Sequence, residues 1–216
     1  EEFGCGLHGV LARLGDRLVG LPLGVDYSVW SPPNDAFIAH GGRTGDISSK
    51  KACREDLVRA MNLNIGGDTT ILGMVTRLVD QKGLDILADA MNALMALDVA
   101  IVILGAGQEK YQTLCQQWAE KWPGRFAAHI GYDIPLAHKI IAGSDVYLMP
   151  SRYEPCGLSQ LYGMRYGTLP VVHATGGLDD TVEDTAPDAS KGTGFKFKAY
   201  AADGLLSAIQ RALELR

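Results

Sequence analysis

The sequence has no uncharged apolar run near the ~20 residues that a membrane-crossing helix requires. It has no basic excess either: 20 Lys and Arg stand against 25 Asp and Glu, for a net charge of -5. A general nucleic-acid or membrane-surface binder needs a basic face, so neither class of partner is expected. Cysteine is sparse and scattered. Cys5, Cys53, Cys115 and Cys156 form no Cys-x-x-Cys pair, which excludes a written zinc site or disulfide framework and fits the reduced thiols of an intracellular protein. The chain opens on Glu1-Glu2-Phe3, with neither an initiator methionine nor a basic, apolar leader. That opening reads as a processed or excised chain. No internal repeat is visible.

What is present is the composition of an ordinary globular domain, in which 216 residues, 47% of them hydrophobic, suffice for one well-buried core. From about residue 70, short apolar runs rich in β-branched residues alternate with helical patterns. This is the signature of an α/β fold with a parallel sheet flanked by helices. Strands are expected at 71–75, 99–104, 126–130, 146–149, 169–172 and 195–197. Helices are expected where Leu84, Leu87, Met91 and Leu94, then Tyr111, Leu114, Cys115 and Trp118, recur on one face. Shorter helices are expected around Leu136 to Ile141 and Leu158 to Tyr166. A last helix is expected after Asp203 as its N-cap. Residues 19–25 read as an opening strand, and 31–50, rich in Pro, Gly, Ser and Asp, as an exposed loop.

In open α/β sheets ligands bind beyond the carboxyl ends of the strands, so the strand-to-helix turns carry the chemistry. In the first, Thr76 to Gly83, Arg77 and Lys82 follow a strand and precede a helix start, which suits a pyrophosphate. The bland alternative is two solvated surface charges. In the second, Pro150 to Gln160, Glu154 can accept sugar hydroxyls or stabilise positive charge on an anomeric carbon. Gly157 and Leu158 there offer free N–H groups at a helix start. The alternative for Glu154 is a capping or salt-bridged glutamate, paired with Arg152. The third, Ala174 to Asp180, is glycine-rich, with room for a phosphate or sugar, or is a simple tight turn. Leu104-Gly105-Ala106-Gly107 imitates a dinucleotide fingerprint, but Lys110 stands at the third glycine and the stretch reads as a structural turn.

Taken in order, Arg77-x4-Lys82-Gly83-Leu84-Asp85, Gly131-Tyr132, Ala137-His138, the block Pro150 to Leu158, Tyr166 to Val172 and Thr175 to Val182 closely resemble glycogen and starch synthases. The resemblance runs from about residue 4 to the end and rests most on Glu154-Pro155-Cys156-Gly157-Leu158. It implies a GT-B glycosyltransferase of two Rossmann-like domains, of which residues 19–216 are the second, donor-binding one and residues 1–18 a residual linker from the first. The activity implied is transfer of glucose from ADP-glucose or UDP-glucose to the non-reducing end of an α-1,4-glucan, with retention of configuration and without a cofactor or metal. The acceptor would be held through the first domain, in a bacterial cytoplasm or plastid stroma.

Carried over residue by residue, the resemblance implies that Arg77 and Lys82 would neutralise the diphosphate and that Glu154 would contact the glucose hydroxyls and stabilise the oxocarbenium-like transition state. Tyr132 would lie by the base. Gly157, Leu158 and Ser159 would face sugar or phosphate with Thr175, Gly176 and Gly177, and Cys156 would pack in the same loop. Mild departures are Leu23 and Ser31 where the family has asparagine, and Ser159 where it has threonine. Same-face attack and double displacement through Glu154 both remain open. Two other readings stand beside the transferase: a stand-alone nucleotide-sugar-binding regulatory module, and an NAD-dependent dehydrogenase resting on Gly105-Ala106-Gly107 alone.

Overall fold

The computed structural model describes residues 6–42, 46–185, 187 and 189–215. Glu1, Glu2, Phe3 and Cys5 lie outside the described residues. In chain order the elements are α1 (His8–Leu14), α2 (Ile47–Ala60), β1 (Thr70–Val75), α3 (Leu84–Leu94), β2 (Val99–Gly105), α4 (Glu109–Lys121), β3 (Phe126–Ile130) and α5 (Ile134–Gly143). They continue with β4 (Val146–Met149), α6 (Ser159–Arg165), β5 (Leu169–His173), α7 (Gly176–Thr181), β6 (Phe195–Phe197) and α8 (Ala202–Glu214).

The strands form one parallel sheet in the order β3-β2-β1-β4-β5-β6, the order of a doubly wound Rossmann-like domain. Its strands are apolar almost throughout because helices cover both faces, and β2 is buried over its whole length. Alternate residues serve opposite cores. Leu72, Met74, Ile101 and Ile103 meet α3, α4 and α8, while Ile71, Ala100, Val102 and Leu104 meet α2 and α5.

The chain runs outward from β1 to β3 and then crosses back to β4, which puts the topological switch point between β1 and β4. There the sheet begins to open. β1 pairs with β2 along its full length but with β4 only at Leu72↔Val146 and Gly73↔Tyr147. Past that point the Tyr147 hydroxyl replaces the ladder, accepting from the Val75 N–H and donating to the Val75 carbonyl, each at 3.1 Å. Burial pushes that phenol up to about 12, so it keeps the proton it donates.

Three expectations are corrected. Residues 19–25 form no strand; they run without a ladder partner, and Val19, Leu21 and Leu23 are exposed. The span 31–50 is not a plain exposed loop. It holds a 3-10 turn, Pro32–Asn34, and the first turn of α2, capped by the Asp46 carboxylate accepting from Ser48 and Ser49. Its Asp35 is buried: its carboxylate meets His138 Nδ1 at 2.6 Å and accepts from the Tyr166 hydroxyl at 2.5 Å. Beside it Trp30 is sandwiched between the rings of His138 and Tyr162, at 3.8 and 4.1 Å. Finally, Ala201 occupies the N-cap of α8 and Asp203 lies in its first turn, still placed to favour the helix dipole.

Candidate functional site

The turns after β1 and β4 flank the switch point, and the structure joins them. Gln81 donates to the Tyr153 carbonyl at 3.1 Å, and the Arg152 N–H donates to the Gln81 carbonyl at 2.8 Å. Between them Lys82 and Glu154 form an ion pair whose side chains are 16% and 11% exposed. Lys82 is therefore not a solvated surface charge. Glu154 is salt-bridged, but not to Arg152: that guanidinium pairs with Asp85 at 3.0 Å and stacks on Tyr200 at 4.5 Å. The Ser151 hydroxyl adds a hydrogen bond to Glu154 at 3.3 Å. Arg77, exposed, reaches Gln81 Oε1 at 3.3 Å, the side chain that also bonds the Tyr153 carbonyl.

Each turn is held from outside. Asp80, inside the first, accepts from Lys110, from Tyr111 at 2.7 Å and from Gln108 at 3.2 Å. The Lys110 hydrogen bond, then those of Tyr111 and Gln108, hold its carboxyl at about 2, well below the usual range. Ser151, in the second, has its carbonyl 2.8 Å from His173 Nδ1 at the end of β5. Neither support was legible from motif spacing, since both depend on which helix or strand lies alongside.

The third turn packs on the second. A Cβ at Gly176 would lie 2.4 Å from the Glu154 carbonyl oxygen, and one at Gly177 would lie 2.2 Å from that of Cys156. The glycines thus let the backbone of the Glu154 loop approach, and the Gly177 N–H bonds the Glu154 carbonyl at 3.0 Å. Thr175 is the N-cap of α7 and makes no side-chain capping bond. Gly157, at φ +70°, and Leu158 precede α6, whose first residue is Ser159. Cys156 is a half-buried thiol whose Sγ accepts from the Leu23 N–H at 3.3 Å. The loop therefore touches residues 19–25 as well.

Tyr132, 86% exposed, stands at the rim of a cavity of about 190 Å³ at the carboxyl ends of β1 and β2. Val75, Leu104, Gly105, Gly131, Ile134 and Ala137 line it, an apolar slot suited to a flat ring. Gly105 and Gly107 serve a different need. Cβ atoms there would lie 1.8 Å from the Thr76 carbonyl oxygen and 2.3 Å from that of Leu78, so the pair lets two loops run side by side. The dinucleotide-like stretch is a structural turn, as its sequence indicates. Among the described residues no helix is long and apolar enough to cross a membrane.

Comparison with known proteins agrees with this fold. The chain is 44% identical over 214 residues to the glycogen synthase of Koribacter versatilis, a match covering 99% of this chain and 44% of that protein. It is 46% identical over 208 residues to glycogen synthase 1 of Geobacter metallireducens, covering 96% of this chain and 41% of that one. The solved catalytic domain of starch synthase IV from Arabidopsis thaliana, bound to ADP and acarbose, matches with a TM-score of 0.90 at 32% identity, over 99% of this chain and 45% of that one. A sucrose-phosphate synthase from Thermosynechococcus elongatus, at 24% identity and a TM-score of 0.58 over 74% of this chain and 39% of that one, shares the fold alone. The chain spans less than half the length of these relatives. The profile of the family described as Glycosyl transferases group 1 matches residues 60–216, and the chain belongs to that family.

Proposed function

We propose that this chain is the donor-binding domain of a retaining glucosyltransferase that extends an α-1,4-glucan from ADP-glucose or UDP-glucose. The observation that carries the reading is the Lys82–Glu154 pair at the switch point, with Arg77 on the adjacent Gln81 and an apolar slot rimmed by Tyr132. The slot takes the base, with Tyr132 folding over it. Arg77 and Lys82 take the diphosphate and stabilise the charge that builds on it as the glycosidic bond breaks. Glu154 holds glucose hydroxyls and faces the positive charge growing at the anomeric carbon. The N–H groups of Gly157 and Leu158, with Ser159, meet the sugar, and Thr175, Gly176 and Gly177 hold the loop that carries them. The first-domain partner supplies the acceptor site, with residues 1–18 as the link to it.

The relatives named glycogen synthase and the ADP-bound starch synthase support this choice of substrate class. Free thiols at Cys53, Cys115 and Cys156 suit a reducing compartment, a bacterial cytoplasm or plastid stroma. Calorimetric titration of the chain with ADP, UDP and NAD, with a glucan-extension assay of the full-length enzyme, tests the proposal. ADP or UDP binding with NAD inert, and extension by the full-length enzyme, is the expected result. Binding of NAD alone, or failure of the full-length enzyme to extend glucan, overturns it.

A further inference from the structure

Gln160 is a fully buried polar residue beside the Glu154 loop. From the second position of α6 its side chain folds back under the Glu154 loop. Nε2 shares its two hydrogens among three acceptors, the Cys156 carbonyl at 3.2 Å, the Gly157 carbonyl at 3.1 Å and the Thr181 hydroxyl at 3.0 Å. Thr181 in turn donates to the Gly177 carbonyl at 2.6 Å, so one amide ties the second turn to the third. Yet Oε1 is buried with no hydrogen-bond partner among the described residues. A buried acceptor left unpaired costs stability, and that cost is set against the bonds its Nε2 makes.

Peptide planarity shows what the amide does. Both peptides are trans, so each carbonyl drawn toward Gln160 turns the N–H across its own peptide bond the opposite way. The carbonyl of Cys156 belongs to the peptide bearing the Gly157 N–H, and that of Gly157 to the peptide bearing the Leu158 N–H. Neither N–H has a partner among the described residues. Gly157 adopts φ +70°, a turn that needs to be held, and Leu158 at the N-cap of α6 contributes no side-chain bond. Glu154 stands three residues before Gly157 on the same loop.

We propose that Gln160 is a positioning residue of the donor site, fixing two peptide planes so that the Gly157 and Leu158 N–H groups meet the glucosyl end of the donor. This rests on the donor-site reading given above. The residue touches no substrate; it acts through the loop.

The test is steady-state kinetics of the full-length enzyme carrying Gln160→Met or Gln160→Glu, with ADP affinity and melting temperature measured alongside. Methionine fills the same space but leaves the Cys156 and Gly157 carbonyls without their donor, so the variant folds with a melting temperature lower by about 5 °C. kcat falls about tenfold, the effect of one to two lost hydrogen bonds to the loop, while ADP affinity changes by less than about twofold. Glutamate sets a second acceptor against two carbonyls; acidification restores one O–H donor, so its kcat relative to the parent rises as pH is lowered. Should both variants fail to fold, Thr181→Val, which removes the partner that steadies the amide, carries the same expectation. Parental kcat in the folded variants, or ADP affinity lost in proportion to kcat, overturns the role. A parallel Glu154→Gln separates the two readings: if it is inactive while Gln160→Met is normal, only the positioning role fails, and if it turns over normally, the donor-site reading itself fails.

Discussion

Lys82 and Glu154 neutralise one another as a contact pair, so substituting each should move ADP affinity in opposite directions. Lys82→Met removes the cation and leaves Glu154, 11% exposed, with the Ser151 hydroxyl at 3.3 Å. A contact pair of unit charges is worth about 4 kcal/mol at an effective dielectric of about 20. Lys82 must give up part of its attraction to Glu154 when it turns to a diphosphate. About half, ~2 kcal/mol, is then the loss in ADP binding, or about thirtyfold in Kd. Glu154→Gln does the reverse. It frees Lys82 and removes a carboxylate from beside an anion, and after salt screening ~1 kcal/mol remains, or about fivefold tighter ADP binding. Turnover is lost in that same variant, because glutamine carries no charge to set against the anomeric centre. The double variant should show a coupling of ~1 kcal/mol, since the two residues share one contact. Calorimetric ADP titrations of the parent and three variants, at low salt and at about 0.15 M, measure all of this. Unchanged or weaker ADP binding in Glu154→Gln would refute the argument, for it would mean the pair does not set the charge of the site.

Further expectations concern the scaffold. Gly177→Ala places a Cβ 2.2 Å from the Cys156 carbonyl oxygen, so it should displace the Glu154 loop and depress glucan extension more than melting temperature. Asp35→Ala strips His138 and Tyr166 of a buried common partner, at a cost of about 3–5 kcal/mol, and should lower the melting temperature by about 10 °C in calorimetry. Asp80 has its carboxyl held near 2 against an ordinary 3.8, so its stabilisation is complete above about pH 4 and is lost as pH falls toward 2. Asp80→Asn should therefore show a shallower fall in melting temperature between those two pH values than the parent, and equal slopes would refute the assignment.

The strand and helix rhythm from residue 70 onward was legible because strands buried on both faces must be continuously apolar, and helices covering them must carry an apolar face at helical spacing. α2 was not legible: in Ile47–Ala60 serine, lysine, arginine and acidic residues dominate, and its buried contacts come from a few residues such as Cys53 and Leu57 packed toward α5. Residues 19–25 alternate like a strand yet form none, because pattern alone cannot supply a neighbouring strand to pair with.

The site divides in the same way. Glu154, Lys82, Arg77 and the glycines stood out individually, because a carboxylate, two cations and flexible backbone between strand and helix limit the chemistry a turn can perform. That Lys82 pairs with Glu154 rather than Arg152 with Glu154 was decided by strand order alone, which lays the turn after β1 against the turn after β4 across 72 residues of chain. The same holds for Gly177 receiving the backbone of Cys156 and for the grip of Gln160 on that loop. Residue chemistry and local periodicity are properties of the chain itself. Pairings at contact distance are fixed only when the sheet closes, because each depends on the relative placement of elements that no local pattern specifies.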